Sequence, residues 1–386
     1  MTILATLGEW RSALPLLIVL TTVASAAGIL VSRADQRRLR ALIGLGGSAL
    51  TLVLVVALVA GVRAGEAFEA RLPFLPGEDI LLRADALSVL FVALSATLWL
   101  ITTVYAVGYL RDGPNQPRFF AFFAFCVSAT MGVALAGNLI TFIVFYELLT
   151  LATYPLVVHK GDRETLRAGR IYLLYTLSGG ALLMMGAMFL HAWHGDGAFQ
   201  VGGMLARAET RPGDAALMVL FAVMIAGLGV KAALAPLHSW LPLAMVAPAP
   251  VSALLHAVAV VKAGAFGIVR VVYDLFGVSL ADALGLLPWL AGVAAFTIIW
   301  GSLLALGQDD LKKRLAYSTV SQVSYIALGA ALAHPAAALG AILHLIHQGI
   351  MKITLFFCAG AYAETLGVEA VSGLGGAGWR MPWASA

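Results

Sequence analysis

The chain has 386 residues, of which 61% are hydrophobic and only 11% are charged, and its mean hydropathy is +0.94. These values lie far outside the range of soluble globular domains and predict a polytopic membrane protein. The net charge of +4 is small, and no basic run with interleaved aromatic residues occurs, so the sequence does not indicate nucleic-acid binding.

Apolar runs of about 20 residues, which is the length that a helix needs to cross a bilayer, recur along nearly the whole sequence. The fold class predicted is therefore all-α, with about 11 transmembrane helices. We predict them at 12–32, 41–62, 84–110, 118–136, 138–158, 169–192, 213–241, 249–275, 285–306, 314–333 and 336–363. The first is expected to remain uncleaved, because "SRADQRRLR" follows it instead of a small-residue cleavage site.

Lys and Arg residues in the loops predict the orientation. With the N-terminus outside, about twice as many of them fall on the cytoplasmic side as on the opposite side, where Arg270 is counted. This bias predicts a multi-pass protein of the cell inner (plasma) membrane with its N-terminus outside. Three lysines, Lys231, Lys262 and Lys352, instead fall inside predicted spans.

Motifs for cofactors and metals are missing from the sequence. Cys126 and Cys358 are single, far apart and within spans, so they predict neither a disulfide framework nor a metal site. The "GGAGW" near the end follows no strand and carries no downstream Lys-Ser/Thr, so it does not indicate a phosphate loop. We therefore expect no cofactor and no metal.

Ionisable residues inside the membrane are the strongest functional signal, because burying a charge there is costly. Glu147, in "NLITFIVFYELLTLATYP", lies about nine residues after Asn138 and so near mid-membrane. Desolvation favours the neutral form of a carboxyl group, so Glu147 is expected to exchange a proton unless a cation holds it ionised. A structural ion pair between two helices is the alternative.

Lys231 stands in "GLGVKAALAPLHSWLP", five residues before Pro236. A proline in a helix cannot donate to the carbonyl four residues earlier and clashes with it, so we predict a broken or kinked helix just past the lysine. Broken helices at mid-membrane form the ion sites of secondary transporters, which favours a proton-carrying role for Lys231. A lysine that snorkels from a helix end is the alternative.

Lys262, in "VSALLHAVAVVKAGAFGIVR", is also expected near mid-membrane. His256 precedes it by six residues, so on one continuous helix the two side chains are offset by about 240° and need not touch. Each could face a different cavity. For His256 a hydrogen-bonded core histidine is an equal alternative to a functional one.

A polar stripe is predicted in "LHLIHQGIMKITLFF", where His344, Gln348 and Lys352 are spaced by four residues and His347 lies beside them. Titratable groups on one helix face can relay protons with a few bridging waters. Polar contacts that hold helices together are the competing interpretation.

Four segments together resemble the antiporter-like membrane subunits shared by respiratory complex I and the Mrp-type multisubunit Na+/H+ antiporters. They are "FYELLTLATYPLVVH", "GVKAALAPLHSWLPLAMVAPAPVSALLHAVAVVKAGAFGIVRVV", "DDLKKRLAYSTVSQVSYIALG" and "HQGIMKITLFFCAGAYAETLG". The resemblance spans roughly residues 85 to 383, and within the family these segments are most similar to the Mrp D-type subunit.

The resemblance implies roles for individual residues. It implies that Glu147 and Lys231 form an ion pair whose opening and closing gates proton movement, and that Lys262 passes the proton along a central hydrophilic axis. His344 and Lys352 match a histidine and a lysine of the family's eleventh helix. A second histidine often stands where this sequence has Gln348, whereas here His347 comes one residue earlier, so the relay at that point departs from the family pattern.

The resemblance also implies a fourteen-helix core with two inverted five-helix repeats. On that pattern residues 1–117 form an N-terminal three-helix segment, 118–283 a complete first repeat and 284–386 three helices of the second. The family's last three helices have no counterpart before "GLGGAGWRMPWASA". The second repeat is therefore expected to be incomplete and the protein to be short at its C-terminal end.

The function predicted is a proton-translocating subunit, moving protons alone or in exchange for Na+, within a multisubunit complex of other membrane subunits in a lipid bilayer. A proton-pumping subunit of an NADH-quinone oxidoreductase or hydrogenase-type complex is one alternative. A membrane scaffold without transport is the alternative from another class, and no enzymatic activity of the protein itself is expected.

Overall fold

The structure is a computed structural model that describes residues 10–33, 35–75, 78–111, 113–194 and 197–385. Long helices dominate it, as the composition predicts. They are α1 Trp10–Val31, α2 Arg37–Arg63, α3 Ala86–Tyr109, α4 Gln116–Leu135, α5 Leu139–Val157, α6 Arg163–His194, α7 Asp214–Lys231, α8 Ala249–Ala257, α9 Val260–Arg270, α10 Leu286–Leu306, α11 Leu311–Ala331 and α12 Pro335–Leu366.

Shorter elements connect the long helices. The strands are β1 Phe68–Leu75 and β2 Glu78–Ala84, and a π-helix, Val271–Phe276, continues α9. The short helices are Met204–Arg207, Trp240–Leu243, Val278–Ala283, Ala377–Arg380 and Pro382–Ser385, and two 3₁₀ turns occupy Ala244–Val246 and Val371–Leu374.

Within the described ranges, ten helical segments are long and apolar enough to cross a membrane, with 249–276 counting as one. α11 matches the predicted span 314–333 but is not among the ten, because Lys312, Lys313 and Arg314 open it and Ser, Thr, Gln and Tyr side chains follow. Its neighbours α10, α12 and α9 supply the contacts that a polar helix needs inside a bundle. The prediction of an all-α polytopic membrane protein is confirmed.

A β-hairpin fills the segment between α2 and α3, where no regular structure is predicted. β1 and β2 pair antiparallel, with Phe68 opposite Ala84, and Phe68 is fully buried against the helices. The hairpin ends at Asp85, whose carboxylate accepts a hydrogen bond from the Ser88 amide and so caps α3. Hydropathy over spans of 20 residues cannot detect two strands of eight and seven residues.

The predicted broken helix near Lys231 and Pro236 is confirmed, and the predicted span 213–241 is therefore wrong beyond residue 231. α7 ends at Lys231, and Ala233 takes a left-handed conformation with φ of 57°. The Leu234 amide returns to the Gly229 carbonyl at 2.9 Å. The Trp240 indole donates to the Val230 carbonyl at 2.7 Å, so the carbonyls freed by the break find partners.

A second break divides the predicted span 249–275, which is therefore wrong as one helix. α8 ends at Ala257 and α9 begins at Val260, with Val258 and Ala259 outside helical geometry. The broken end is packed closely: a Cβ at Gly349 of α12 would lie 2.9 Å from the Ala257 carbonyl oxygen. No proline stands at this break, so the sequence carries no local signal for it.

The segment after α12 folds back onto the start of α11. The Leu311 amide donates to the Glu369 carbonyl at 2.9 Å, and Asp309 accepts hydrogen bonds from the Ser372 amide and hydroxyl at 2.9 and 2.7 Å. The division into segments 1–117, 118–283 and 284–386 stays a prediction.

Packing between α7 and α9 generates a prediction about Gly264. A Cβ there would lie 2.3 Å from the Ala232 nitrogen and 2.8 Å from the Leu228 carbonyl oxygen, both backbone atoms that cannot swing aside. We expect Gly264→Ala to destabilise the fold by about 1 to 3 kcal/mol through overpacking. The measurement is the thermal unfolding midpoint in detergent.

The matched control is Gly46→Ala on α2, because nothing lies within 4 Å of a Cβ added there. That substitution should leave the midpoint unchanged or raise it, since alanine has the better helix propensity by about 1 kcal/mol. Equal midpoints for the two variants would contradict the packing argument.

Candidate functional site

The site begins with Glu147 on α5 and Lys231 at the last residue of α7. The Glu147 Oε1 and Lys231 Nζ atoms are 4.0 Å apart, and the Lys231 side chain is fully buried while that of Glu147 is 27% exposed. Lys231 Nζ also donates to the Tyr146 carbonyl and lies 3.3 Å from the centroid of the Tyr146 ring. The ammonium is thus surrounded by a carboxylate, a carbonyl and a π face, which are the groups that stabilise a buried cation.

Gly180 of α6 makes room for this pair. A Cβ at that position would lie 1.9 Å from Glu147 Oε1 and 2.5 Å from its Cδ. A Cβ at the neighbouring Gly179 would lie 2.9 Å from the Gly227 carbonyl oxygen, so α6 packs closely on α7 beside the pair. Two adjacent glycines therefore let three helices meet where the carboxylate lies.

Lys262 lies on the first turn of α9 and is fully buried. Its ammonium donates to the Leu345 carbonyl of α12 at 2.5 Å. Gly264, two residues further, touches the Lys231 and Ala232 backbone, so the helix that carries Lys262 begins against the end of α7. α9 therefore connects the Glu147–Lys231 pair to α12.

The polar side chains of α12 contact α8 and α11. His344 Nε2 is 3.0 Å from the Gln322 carbonyl oxygen, and the Gln348 amide donates to the His256 carbonyl at 3.4 Å. Lys352 donates to the Ser318 hydroxyl at 2.7 Å and to the Leu315 carbonyl at 3.2 Å. The predicted stripe of His344, Gln348 and Lys352 thus lies at helix–helix contacts.

The two remaining histidines of the prediction lie in different surroundings. His256 is fully buried at the end of α8, and its ring lies 4.7 Å from the Phe356 ring. The predicted 240° offset from Lys262 does not apply, because the break at Val258 and Ala259 separates the two residues. His347 is exposed on α12, one turn after His344.

Sequence reasoning missed a second charged cluster, centred on Arg270. Arg270 falls inside the predicted span 249–275, yet the orientation prediction counts it with the loop residues; it is the last residue of α9 and only 3% exposed. It donates to Asp85 at 2.6 and 3.0 Å, to Asp274 at 2.6 Å and to the Ser88 hydroxyl at 2.8 Å. The i,i+4 spacing of Arg270 and Asp274 is the one signal in the sequence that could have indicated it.

This cluster fixes the ionisation of Asp85, which lies just before α3. Burial raises the pKa of the Asp85 carboxyl, but the Arg270 guanidinium and the hydrogen bonds from Arg270 and Ser88 outweigh burial and hold that pKa below its usual range. The cluster thereby ties the far end of α9 to the start of α3. Among the described residues no group of three or more His, Cys, Asp or Glu side chains is placed to hold a metal ion.

Comparison with known proteins identifies the family. Residues 136–386 match the family described as NADH:quinone oxidoreductase/Mrp antiporter, TM. The chain belongs to this family. The expected resemblance to antiporter-like membrane subunits is thereby confirmed.

Relatives of the antiporter-like family occur in both kinds of complex. The protein is 32% identical to a probable K(+)/H(+) antiporter A/B subunit of Rhizobium meliloti, over 87% of its own length and 33% of that relative. It is 33% identical to NADH-quinone oxidoreductase subunit N of Desulforudis audaxviator, over 80% of its own length and 61% of that relative. It therefore spans between a third and three fifths of the length of these curated relatives.

A solved structure agrees with the fold. The Mrp complex of Dietzia sp. contains a polypeptide that superposes with a TM-score of 0.81 at 25% identity, over 94% of this protein and 66% of that polypeptide. The architecture described above is thus that of an antiporter-like subunit.

The Arg270 cluster generates a prediction for pH dependence. Because the pKa of Asp85 is depressed in the folded state, its stabilising contribution is complete above the unfolded value of about 3.9 and is lost as pH falls through the folded value. We expect Asp85→Asn to unfold at a lower temperature than the parent at pH 7, with the difference shrinking below about pH 4. Thermal unfolding measured from pH 7 down to about pH 3 tests this.

The control is Asp282→Asn, which removes an exposed carboxylate from the helix Val278–Ala283. Its unfolding temperature should differ from that of the parent by the same small amount at every pH in this range. A constant difference between parent and Asp85→Asn across the whole range would refute the proposed ionisation.

Proposed function

We propose that this protein is a proton-translocating membrane subunit of a multisubunit complex, of the Mrp D type. The observation that carries the proposal is the contact of Glu147 with Lys231 at a helix that ends in mid-bundle. A partly buried carboxylate beside a fully buried ammonium can exist as a charged or as a neutral pair, and the two states differ by the position of one proton. Coulombic attraction grows in a low-dielectric interior, so opening the pair changes how firmly each group holds that proton.

The end of α7 supports a gating role for the pair. Beyond Lys231 the chain is held by separate hydrogen bonds rather than by a continuous helix, among them those from the Leu234 amide to the Gly229 carbonyl, from the Ala235 amide to the Thr297 hydroxyl and from the Trp240 indole to the Val230 carbonyl. Such a segment can shift without breaking a helix. We propose that a small movement there lengthens or shortens the distance between Lys231 Nζ and the Glu147 carboxylate.

Onward transfer is proposed to run through α9 to α12. Lys262 lies two residues before the Gly264 contact with α7 and reaches the Leu345 carbonyl of α12. From there the side chains of His344, Gln348 and Lys352 follow one face of α12. Waters between these groups would complete the relay, since none of these side chains donates directly to the next among the described contacts. His347 faces outward and has no step in this route.

The kind of complex is proposed from the relatives. One relative is named for a K(+)/H(+) antiporter and another for an NADH-quinone oxidoreductase, so a membrane-arm subunit of an oxidoreductase is the second candidate. Exchange of Na+ for protons is part of the Mrp-type candidate alone. In either case the partners are other membrane subunits and the ion carried is the proton.

Orientation is proposed from the distribution of basic residues. Arg111, Lys160 and Lys312 line one cavity at a single end of the bundle. Because Lys and Arg are enriched on the cytoplasmic side, we place that end in the cytoplasm and the N-terminus outside, in the cell inner membrane. Residues 118–283 would then form the first five-helix repeat and 284–386 part of the second.

The assignment predicts the effect of removing either partner of the pair. We expect Glu147→Gln and Lys231→Ala, in the assembled complex in vesicles, to reduce proton flux by at least about tenfold, because the protonation states of the pair can no longer alternate. Flux is measured with a pH-sensitive dye, and assembly of the complex is checked on the same samples.

Lys313→Ala is the matched control for Lys231, because Lys313 is exposed at the start of α11. It should retain full flux. Normal flux in normally assembled Glu147→Gln and Lys231→Ala complexes would instead favour a scaffold in which the pair only holds α5 to α7.

Gly180 allows the geometry of the pair to be changed without deleting it. In Gly180→Ala the new Cβ meets the end of the Glu147 side chain, which can swing away, so folding should be unaffected while the carboxylate leaves Lys231. We expect flux to fall by roughly three- to tenfold, which corresponds to about 1 kcal/mol of lost interaction. Gly46→Ala, with open space around it, should change nothing.

The double variant Gly180→Ala with Glu147→Gln decides whether both act through one contact. If they do, the double variant has the flux of Glu147→Gln alone. Additive losses would mean that Gly180 acts elsewhere.

A further inference from the structure

A cavity of about 340 Å³ lies where α2 begins, α3 ends and α4 begins. Four arginines line it: Arg37, Arg38, Arg40 and Arg111. Its other lining residues are neutral, and none of the described residues that line it is acidic: Ala41, Val107, Gln116 and Phe120. A concave surface with charges of one sign concentrates ions of the opposite sign, so this cavity is suited to an anion.

Hydrogen bonds hold the wall of the cavity in place. Arg40 is only 2% exposed, and its guanidinium donates to the Arg33 carbonyl at 2.7 Å and to the Gln116 side-chain oxygen at 2.9 Å. The Gln116 amide in turn donates to the Leu110 carbonyl at 2.7 Å and to the Arg111 carbonyl at 3.0 Å. The three helix ends are therefore joined to one another before a ligand binds, which lowers the cost of binding.

Two of the guanidinium groups are open to a ligand. Arg38 and Arg111 are exposed, and in the described part of the protein neither guanidinium takes part in a hydrogen bond or an ion pair. Guanidinium groups that share a cavity repel one another, and a phosphate relieves this repulsion. Its oxygens also match the fork of an arginine, which can donate two parallel hydrogen bonds to them.

The level of the cavity along the helices indicates where the phosphate comes from. α2 begins at Arg37, α3 ends at Tyr109 and α4 begins at Gln116, and all three helices are long and apolar enough to cross a membrane. The cavity therefore lies where membrane spans end, which is the level of the lipid headgroups. One turn deeper than Arg38 on α2, Leu42 is 68% exposed and offers apolar surface to an acyl chain.

We propose that this cavity binds the phosphate of an anionic phospholipid. Arg38 and Arg111 contact the phosphate, and an acyl chain lies along α2 past Leu42. The bound headgroup balances the charge of the arginines and links the start of α2 to the segment between α3 and α4. This inference does not rest on the proposed function, because it concerns a ligand and not the transported ion.

The test measures lipid binding to the full chain in detergent by native mass spectrometry. Phosphatidylglycerol supplies an anionic headgroup, and phosphatidylcholine with the same acyl chains supplies a zwitterionic one. We expect the first phosphatidylglycerol to bind at least about tenfold more tightly than the first phosphatidylcholine. The double variant Arg38→Ala with Arg111→Ala should weaken phosphatidylglycerol binding at least about tenfold and leave phosphatidylcholine binding unchanged, because each basic residue at the membrane surface contributes to the attraction.

The matched control is Arg163→Ala with Arg167→Ala. It removes the same charge from two exposed positions on the first turns of α6, and neither residue lines the cavity. Phosphatidylglycerol affinity should be unchanged in this variant. Equal losses in the two double variants would mean that only the total charge of the protein attracts the lipid, and would overturn the proposal.

Glycerol phosphate distinguishes a lipid from a soluble phosphate. It carries the phosphate without acyl chains, so at equal concentration it should not displace phosphatidylglycerol from the parent protein. Displacement at equal concentration would assign the cavity to a soluble anion and would exclude the lipid.

A measurement on the parent protein keeps the proposal testable if the arginine variants fail to fold. Phosphatidylglycerol with a photoreactive group beside its headgroup should attach to residues 38–42 and 107–111, whereas the same derivative of phosphatidylcholine should not. Equal yields of both lipids at these positions, or no attachment there, would contradict the proposal. Neither measurement uses ion flux, so the outcome is independent of the tests on Glu147 and Lys231.

Discussion

Solvation of buried ammonium groups by backbone carbonyls is the constraint on which the rest of this structure depends. Lys231 donates to the Tyr146 carbonyl, Lys262 to that of Leu345 and Lys352 to that of Leu315. In each case the carbonyl belongs to a neighbouring helix, whose oxygen has a second lone pair beyond the helical hydrogen bond. A charge in the hydrocarbon region is tolerated only with such partners, so the positions of three lysines determine which helices must touch.

Close helix contacts follow from that requirement, and glycine provides them. An ammonium on a side chain of limited length reaches a foreign carbonyl only if the two helices approach closely. Gly264 brings α9 against the end of α7, and Gly349 brings α12 against the end of α8. Gly180 leaves the space that the Glu147 carboxylate occupies. The hydrogen bonds of the buried lysines therefore depend on the glycines beside them, because the helices must pack closely before an ammonium can reach a carbonyl of its neighbour.

The two helix breaks serve the same purpose. Within a continuous helix each carbonyl already accepts one hydrogen bond, whereas the breaks after Lys231 and after Ala257 release carbonyls that have no helical partner. Val230 is satisfied by Trp240, and the carbonyl of His256 accepts from Gln348. Both breaks lie where polar groups of different helices meet, which is where a rearrangement would alter their contacts.

Much of the fold and several residues of the candidate site could be predicted from the sequence. Hydropathy locates most spans because each one needs about 20 apolar residues of its own to cross the hydrocarbon core. Pro236 indicates the break after Lys231 because a proline disrupts the helix in which it stands, whatever the rest of the fold. The sequence also singles out four ionisable residues as candidates, because burying a charge in an apolar run is costly: Glu147, Lys231, Lys262 and Lys352.

The remainder required tertiary structure. The break at Val258 and Ala259 has no proline, and its position shows only in the packing against Gly349. The buried charge cluster of Arg270 could not be predicted, because its partner Asp85 lies 185 positions away in the sequence. The exposure of His347 and the contact between the His256 and Phe356 rings depend on which helices are neighbours. The sequence by itself determined that charges are buried in a membrane, because the hydropathy of each segment is a property of that segment alone. Only the tertiary structure decided which partner each charge has, because the partners come from different segments.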